Sequence, residues 1–163
     1  MAKFAKKENT LVIIKPDAIE RGKPTEIKFM ILRGGLNIEA AYQGIQRRED
    51  MEYVYGPQHS GKPYYGEYLR FMTYSESELV LVSGVNAVRM MLDLKFAIRD
   101  RIGVEDILPF KCGQNLVHCS DPEMAEREVR YFTEVVPLLR RPGQDLGFRA
   151  GRMPSGRIPG LRR

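Results

Sequence analysis

A chain of 163 residues is long enough for one domain with a sizeable core, and 43% apolar with 29% charged residues is the balance of an ordinary globular protein, which sets aside fibrous and low-complexity classes. No apolar run approaches the roughly 18 residues a bilayer crossing needs, and no apolar stretch follows Lys3, Lys6 and Lys7, so neither a membrane span nor a signal peptide is expected and the expected compartment is the cytoplasm. The net charge of +5 is concentrated in residues 140–163, where seven arginines face one acid, Asp145, so it describes a tail and not a groove in the fold.

Residues 1–9 are polar and are expected to fray. Thr10 to Lys15 is a short β-branched run, the pattern of a buried strand, ended by Pro16 and Asp17. Pro24 opens a helix with Ile27, Met30 and Ile31 on one face, closed by Gly34 and Gly35. Leu36 to Arg47 alternates loosely through Ile38, Ala40, Tyr42 and Ile45, which predicts a second strand with an irregularity at Gly44. A short helix is expected over Asp50 to Tyr55, then a loop through Gly56, Pro57 and Gly61. Pro63 opens an aromatic helix containing Tyr64, Tyr65, Tyr68, Phe71 and Met72. Glu78 to Ser83 reads as a third strand and Asn86 to Phe96 as a helix, whereas Ile98 to Phe110 has no readable period. Gln114 to His118 is a short fourth strand. Asp121 and Pro122 start a last helix whose buried face is Ala125, Val129 and Phe132. Alternation of strands and helices suits a doubly wound parallel sheet or a split β-α-β sheet equally, and periodicity does not choose between them.

There is no glycine-rich phosphate loop of either common kind, and two histidines make a histidine-based metal site improbable. Cys112 and Cys119 have the spacing of neither a zinc pair nor a redox pair. His118 ends a strand and is followed by Ser120, Asp121 and a helix start, a junction where free amides gather and small anions bind. A neutral imidazole there is a competent nucleophile near pH 7, although the position also suits a histidine that merely ends a strand. Glu128 lies beside the apolar stripe of the last helix, where it either orients the far ring nitrogen of His118 or reaches solvent. Lys15 is either a point-charge phosphate ligand or a solvated strand end. Tyr64 and Tyr68 share a helix face, as core or as a base-stacking platform.

Taken together these segments are recognisable. T-L-V-I-I-K-P-D-A (10–18) with I-E-R-G (19–22) resembles the first strand and turn of nucleoside diphosphate kinases, and N-L-V-H-C-S-D (115–121) resembles that family's N-x-x-H-G-S-D signature. G-K-P-Y-Y (61–65) and M-A-E-R-E-V (124–129) are similar to the segments before the nucleotide-binding helix and after the active site. The resemblance implies an α+β, ferredoxin-like split βαβ domain over residues 10–139, with a four-stranded antiparallel sheet covered by helices. It implies transfer of the γ-phosphate of a nucleoside triphosphate to a nucleoside diphosphate by a ping-pong route. His118 would be the phosphorylated residue, Glu128 its orienting carboxylate, Lys15 the phosphate ligand and Tyr55 their neighbour. Asn115 would contact the ribose, Tyr64 would stack on the base with Tyr68 at its edge, and Ser120 and Asp121 would hold the region. Arg89 and Arg99 would match the family's phosphate-binding arginines, and with the gap placed differently Glu105 or Asp106 falls at the second of these positions instead. Mg²⁺ would arrive with the nucleotide, with no metal ligand from the protein, and the chain would form a dimer-based homo-oligomer, a hexamer or tetramer.

Three features depart from the pattern. Cys119 and Pro122 alter the signature, no P-G-T-I-R-G segment lies between Leu92 and Asn115, and Gly56 to Ser60 lengthens the loop after Tyr55. They motivate the alternative of a weakly active or inactive nucleotide-binding or scaffold module. The arginine tail, residues 140–163, is expected to be disordered. Its arginines, separated by Gly and Pro, also suit sequence-independent contact with nucleic acid.

Overall fold

The computed structural model describes residues 6–104 and 114–139. Readings that concern Met1–Ala5, Glu105 to Phe110, Cys112 and the arginine tail lie outside the described residues. In chain order the elements are β1 (Lys7–Ile14), α1 (Pro16–Glu20), α2 (Pro24–Arg33), β2 (Asn37–Ile45), α3 (Arg48–His59), α4 (Tyr65–Thr73), β3 (Glu76–Val85), α5 (Ala87–Ile102), β4 (Val117–Cys119) and α6 (Ala125–Arg130), which continues as a π-helical turn over Tyr131–Val135.

The sheet order is β2-β3-β1-β4 and every pairing is antiparallel. This excludes the parallel alternative and gives the ferredoxin-like α+β arrangement. Both faces of the sheet are covered. Val12, Ile14, Val80 and Val82 pack with Ile27 and Ile31 of α2 and Met91 and Ile98 of α5. Leu11, Ile13, Leu79 and Leu81 pack on the other face with Met51, Val54, Leu69, Met72 and Phe132. Two buried faces explain why β1 reads as a continuous apolar run and not as an alternating one. Among the described residues no helix is long and apolar enough to cross a membrane.

Several boundaries differ from the sequence pattern, each for a physical reason. β1 begins at Lys7 and not at Thr10, because Lys7, Glu8 and Asn9 pair with Val85, Gly84 and Ser83 across an antiparallel ladder that polar side chains do not interrupt. The irregularity in β2 falls between Ile38 and Ala40 and not at Gly44. Gly44 instead keeps regular pairing and leaves room for Tyr42, whose hydroxyl would lie 2.8 Å from an added Cβ. α3 runs to His59, past the expected stop at Tyr55. Pro57 lies inside it, so the Tyr53 carbonyl loses the amide that would have bonded it. The Arg127 guanidinium donates to that carbonyl at 2.9 Å and fills the gap. α5 extends to Ile102, where Gly103 (φ +76°) supplies the left-handed cap that ends it.

β4 is only three residues long, and Asn115 and Leu116 form a turn before it. Val117 N–H donates to Asn115 O at 2.8 Å, with Leu116 at φ +69°. A left-handed leucine costs about 1–3 kcal/mol. The surroundings hold it there: Leu116 N–H donates to the buried Asp17 Oδ2 at 3.1 Å, and Leu116 O accepts from Lys15 N–H at 2.8 Å. The strained turn thus locks the approach to His118 onto the β1–α1 junction.

Candidate active site

His118 lies opposite Ile13 in the β4–β1 ladder, so it projects onto the sheet face covered by α3, α4 and α6. Its neighbours Val117 and Cys119 face the other core. His118 Nε2 lies 3.0 Å from Glu128 Oε2, and the two side chains are 14% and 2% exposed. A carboxylate only accepts, so Nε2 carries the proton and Nδ1 keeps its lone pair. Ser120 Oγ donates to the same Glu128 oxygen, while Ser120 N–H is fixed to Leu11 O at 3.1 Å. The carboxylate is thereby anchored from two sides, and it does not reach solvent.

Lys15 is 2% exposed and is not a solvated strand end. Its Nζ donates to Tyr68 Oη at 2.9 Å and to Asn115 Oδ1 at 2.7 Å, and lies 5.1 Å and 5.8 Å from the ring centroids of Tyr68 and Tyr55. An ammonium this deep needs such partners, since each charge-assisted hydrogen bond contributes about 1.5–3 kcal/mol. Tyr55 is buried and meets both His118 and Tyr68 edge-on, at 5.1 Å and 4.6 Å between centroids. Burial pushes its phenol well above the usual range, so it is protonated at neutral pH. Asp17, beneath the turn, has its carboxyl raised by burial, against the opposing effects of the Leu116 amide and Lys15.

Six of the residues singled out in the sequence therefore form one cluster: Lys15, Tyr55, Tyr68, Asn115, His118 and Glu128. Asp121 stands at its rim, where Oδ2 accepts from Gln58 Nε2 at 2.7 Å and joins the end of α3 to the start of α6. Arg99 Nε and Nη2 donate to the carbonyls of Asn115 and Val117 at 3.0 and 3.1 Å, bracing the strained turn. Arg89 is 78% exposed and pairs with Asp93 one turn along α5. Cys119 is a buried free thiol pushed up to about 12 by desolvation, hence unreactive.

Sequence reasoning missed His59. Its Nδ1 lies 2.9 Å from Tyr64 Oη, and its ring stacks on Tyr68 at 5.5 Å. The signal was its i, i+4 spacing from Tyr55, hidden because Gly56 and Pro57 read as a loop. Burial lowers the His59 pKa from its ordinary 6.5, followed by the charges of Lys15, His118 and Lys62. The folded state therefore binds less proton than the unfolded chain as pH falls below 6.5. His59 thus contributes stability that is full above that value and is lost below it. The expected outcome is that His59→Gln loses less melting temperature than the parent between pH 7 and pH 5, as read by thermal melts across that range.

The family model described as nucleoside diphosphate kinase matches residues 8–135. A nucleoside diphosphate kinase of Parafrankia sp. (strain EAN1pec) is 34% identical over 137 residues, spanning 77% of this chain and 94% of that one. Among solved structures, the Aquifex aeolicus nucleoside diphosphate kinase superposes with a TM-score of 0.68 at 24% identity, covering 82% of this chain and 100% of that one. The Halobacterium salinarum nucleoside diphosphate kinase in complex with CDP gives the same TM-score, 0.68, at 24% identity, over 85% of this chain and 95% of that one.

Proposed function

Because this chain belongs to the nucleoside diphosphate kinase family and is a phosphotransferase, we propose that it moves the γ-phosphate of a nucleoside triphosphate to a nucleoside diphosphate through a phosphohistidine on His118. The observation that carries the reading is the buried Glu128 carboxylate on His118 Nε2 at 3.0 Å, which leaves Nδ1 as the nucleophile.

In the first half-reaction the Nδ1 lone pair attacks the γ-phosphorus. The bond from that phosphorus to the β–γ bridging oxygen breaks, and the nucleoside diphosphate leaves with the electron pair. The ring becomes a phosphorylated imidazolium whose remaining N–H points at Glu128. In the second half-reaction a terminal oxygen of an acceptor diphosphate attacks the phosphorus, the P–N bond breaks, and the imidazole is restored. Such transfers need positioning and charge neutralisation more than covalent rearrangement. Lys15 neutralises the transferring phosphate, and the protonated Tyr55 hydroxyl donates beside it. Tyr64 stacks on the base with Tyr68 at its edge, and Asn115 reaches the ribose. Arg89 and Arg99 are the candidates for the outer phosphates. For Arg99 this requires sharing its guanidinium with the Asn115–Val117 backbone. Mg²⁺ enters on the nucleotide's phosphate oxygens and offsets their charge. We also propose a dimer-based homo-oligomer as the assembled form.

Steady-state transfer from ATP to a second diphosphate tests the reading. Parallel double-reciprocal lines at varied acceptor are expected, since donor product leaves before acceptor binds. Intersecting lines would argue for direct transfer without a protein-bound phosphate.

A further inference from the structure

The side chain next to Glu128 in sequence reaches Tyr53 on α3, a contact that none of the site roles above uses. The Arg127 guanidinium lies 3.7 Å from the centroid of the Tyr53 ring, and Tyr53 stacks on Tyr131 with centroids 3.8 Å apart and planes 13° from parallel. Arg127 Nη1 also donates at 2.9 Å to the Tyr53 carbonyl, the acceptor that Pro57 leaves without an amide. The outer side of the stack is fixed as well. Tyr131 Oη donates to Asp50 Oδ1 at 2.8 Å, and Asp50 takes two hydrogen bonds from Arg47, at 2.9 and 3.0 Å. One guanidinium thus joins α3 and α6 by a cation–π contact and a hydrogen bond at once.

Those two helices carry the two groups that bracket His118. Tyr55 follows Tyr53 by two residues on α3, and Glu128 is the residue after Arg127 on α6. We propose that Arg127 is a positioning residue for phosphoryl transfer: by clamping α6 to the proline-interrupted turn of α3 it sets the Glu128 carboxylate against His118 and Tyr55. This rests on the phosphohistidine reading. Arg127 donates to a backbone carbonyl and stacks on Tyr53, so its loss acts on the alignment of the nucleophile and not on nucleotide affinity. Lysine at this position keeps the charge but loses the flat surface that stacks and the fork that donates sideways.

The test uses the full chain and two readouts. The first is the saturating rate of His118 phosphorylation from radiolabelled ATP, with the nucleotide dissociation constant measured separately. Arg127→Met is expected to slow the saturating rate about tenfold, a part of the roughly 100-fold that a 1 Å misplacement of reacting groups can cost, with nucleotide affinity unchanged. Arg127→Lys is expected to fall between parent and Met. The second readout is the ¹⁵N signature of the His118 ring without nucleotide: a single Nε2–H tautomer in the parent and a tautomer mixture in Arg127→Met. Adding Pro57→Ala to Arg127→Met returns an amide to the Tyr53 carbonyl without restoring the stack, so stability is expected to recover while the rate stays low.

An unchanged saturating rate, a loss expressed equally in nucleotide affinity, or a rate that recovers with stability in the double variant each overturn the proposal. Should Arg127→Met fail to fold, Arg127→Lys and Tyr53→Leu carry the same two measurements, with the same criteria. A parent chain that takes no label refutes the phosphohistidine reading instead, and the tautomer measurement still decides whether Arg127 holds the Glu128–His118 pair.

Discussion

His118→Ala is expected to abolish phosphoenzyme formation and to lower kcat for transfer by roughly four orders of magnitude or more, because no other group supplies the lost step. The alternatives inside the cluster are poor nucleophiles. Burial keeps the Tyr55 phenol protonated, and the Cys119 thiol is held near 12 on the opposite face of the sheet. His59, the only other histidine, is spoken for at Nδ1 by Tyr64. Nucleotide affinity should survive, since the alanine removes an imidazole that is 14% exposed and leaves Lys15, Asn115 and the tyrosines in place. The alanine removes one of the two partners of the buried Glu128 carboxylate and leaves Ser120 Oγ, so a modest loss of melting temperature is expected beside a far larger loss of turnover. The check is kcat and thermal melting on the same preparation, with nucleotide binding by calorimetry.

The second large effect is expected at Glu128, where two substitutions separate geometry from charge. Oε2 accepts from both His118 Nε2 and Ser120 Oγ. Alanine removes the acceptor, frees the imidazole to take either tautomer, and leaves the buried Ser120 hydroxyl with Leu11 O as its remaining acceptor, at 3.3 Å. Glutamine can keep an oxygen in that place but cannot balance the positive ring that phosphorylation creates. We expect Glu128→Ala to lower kcat about 10²–10³-fold and Glu128→Gln about 10–100-fold, by analogy with the loss of other orienting and charge-stabilising groups. Nucleotide dissociation constants should be unchanged in both. Equal losses for the two variants would mean that charge alone matters, and a loss confined to affinity would remove Glu128 from the chemistry.

How far these residues could be read from sequence depended on whether their signal was local. The β1 run was plain because both sheet faces are buried, and α2 was plain because Pro24 and the Gly34–Gly35 pair mark its ends. Strand direction was not plain, since an apolar strand carries no record of which neighbour it pairs with. The resemblance to a family supplied what periodicity left open. Within the site, Lys15, His118 and Glu128 stood out because polar side chains end or border apolar patterns there. Their contacts with Tyr68, Asn115 and Ser120 depend on strands and turns separated by many residues.

The misses share a cause. Gly56 and Pro57 are loop residues by propensity, yet α3 passes through them because a residue on a distant helix satisfies the freed carbonyl. Ending the helix at Tyr55 hid His59, and the same long-range bond hid Arg127. Arg89 and Arg99 were matched through the family resemblance, which carries no information about their partners within this fold. One pairs with Asp93 along its own helix, and the other braces the backbone of the turn before β4.

The most direct measurement is mass spectrometry of the intact chain after brief exposure to ATP and Mg²⁺, followed by localisation of the modification and a stability test of the adduct. One added phosphoryl group is expected, carried on His118, lost in acid, retained in base, and discharged on addition of a nucleoside diphosphate with formation of the triphosphate. A chain that turns over nucleotides with no adduct on His118, or an adduct on another residue that the diphosphate discharges, would contradict the phosphohistidine reading.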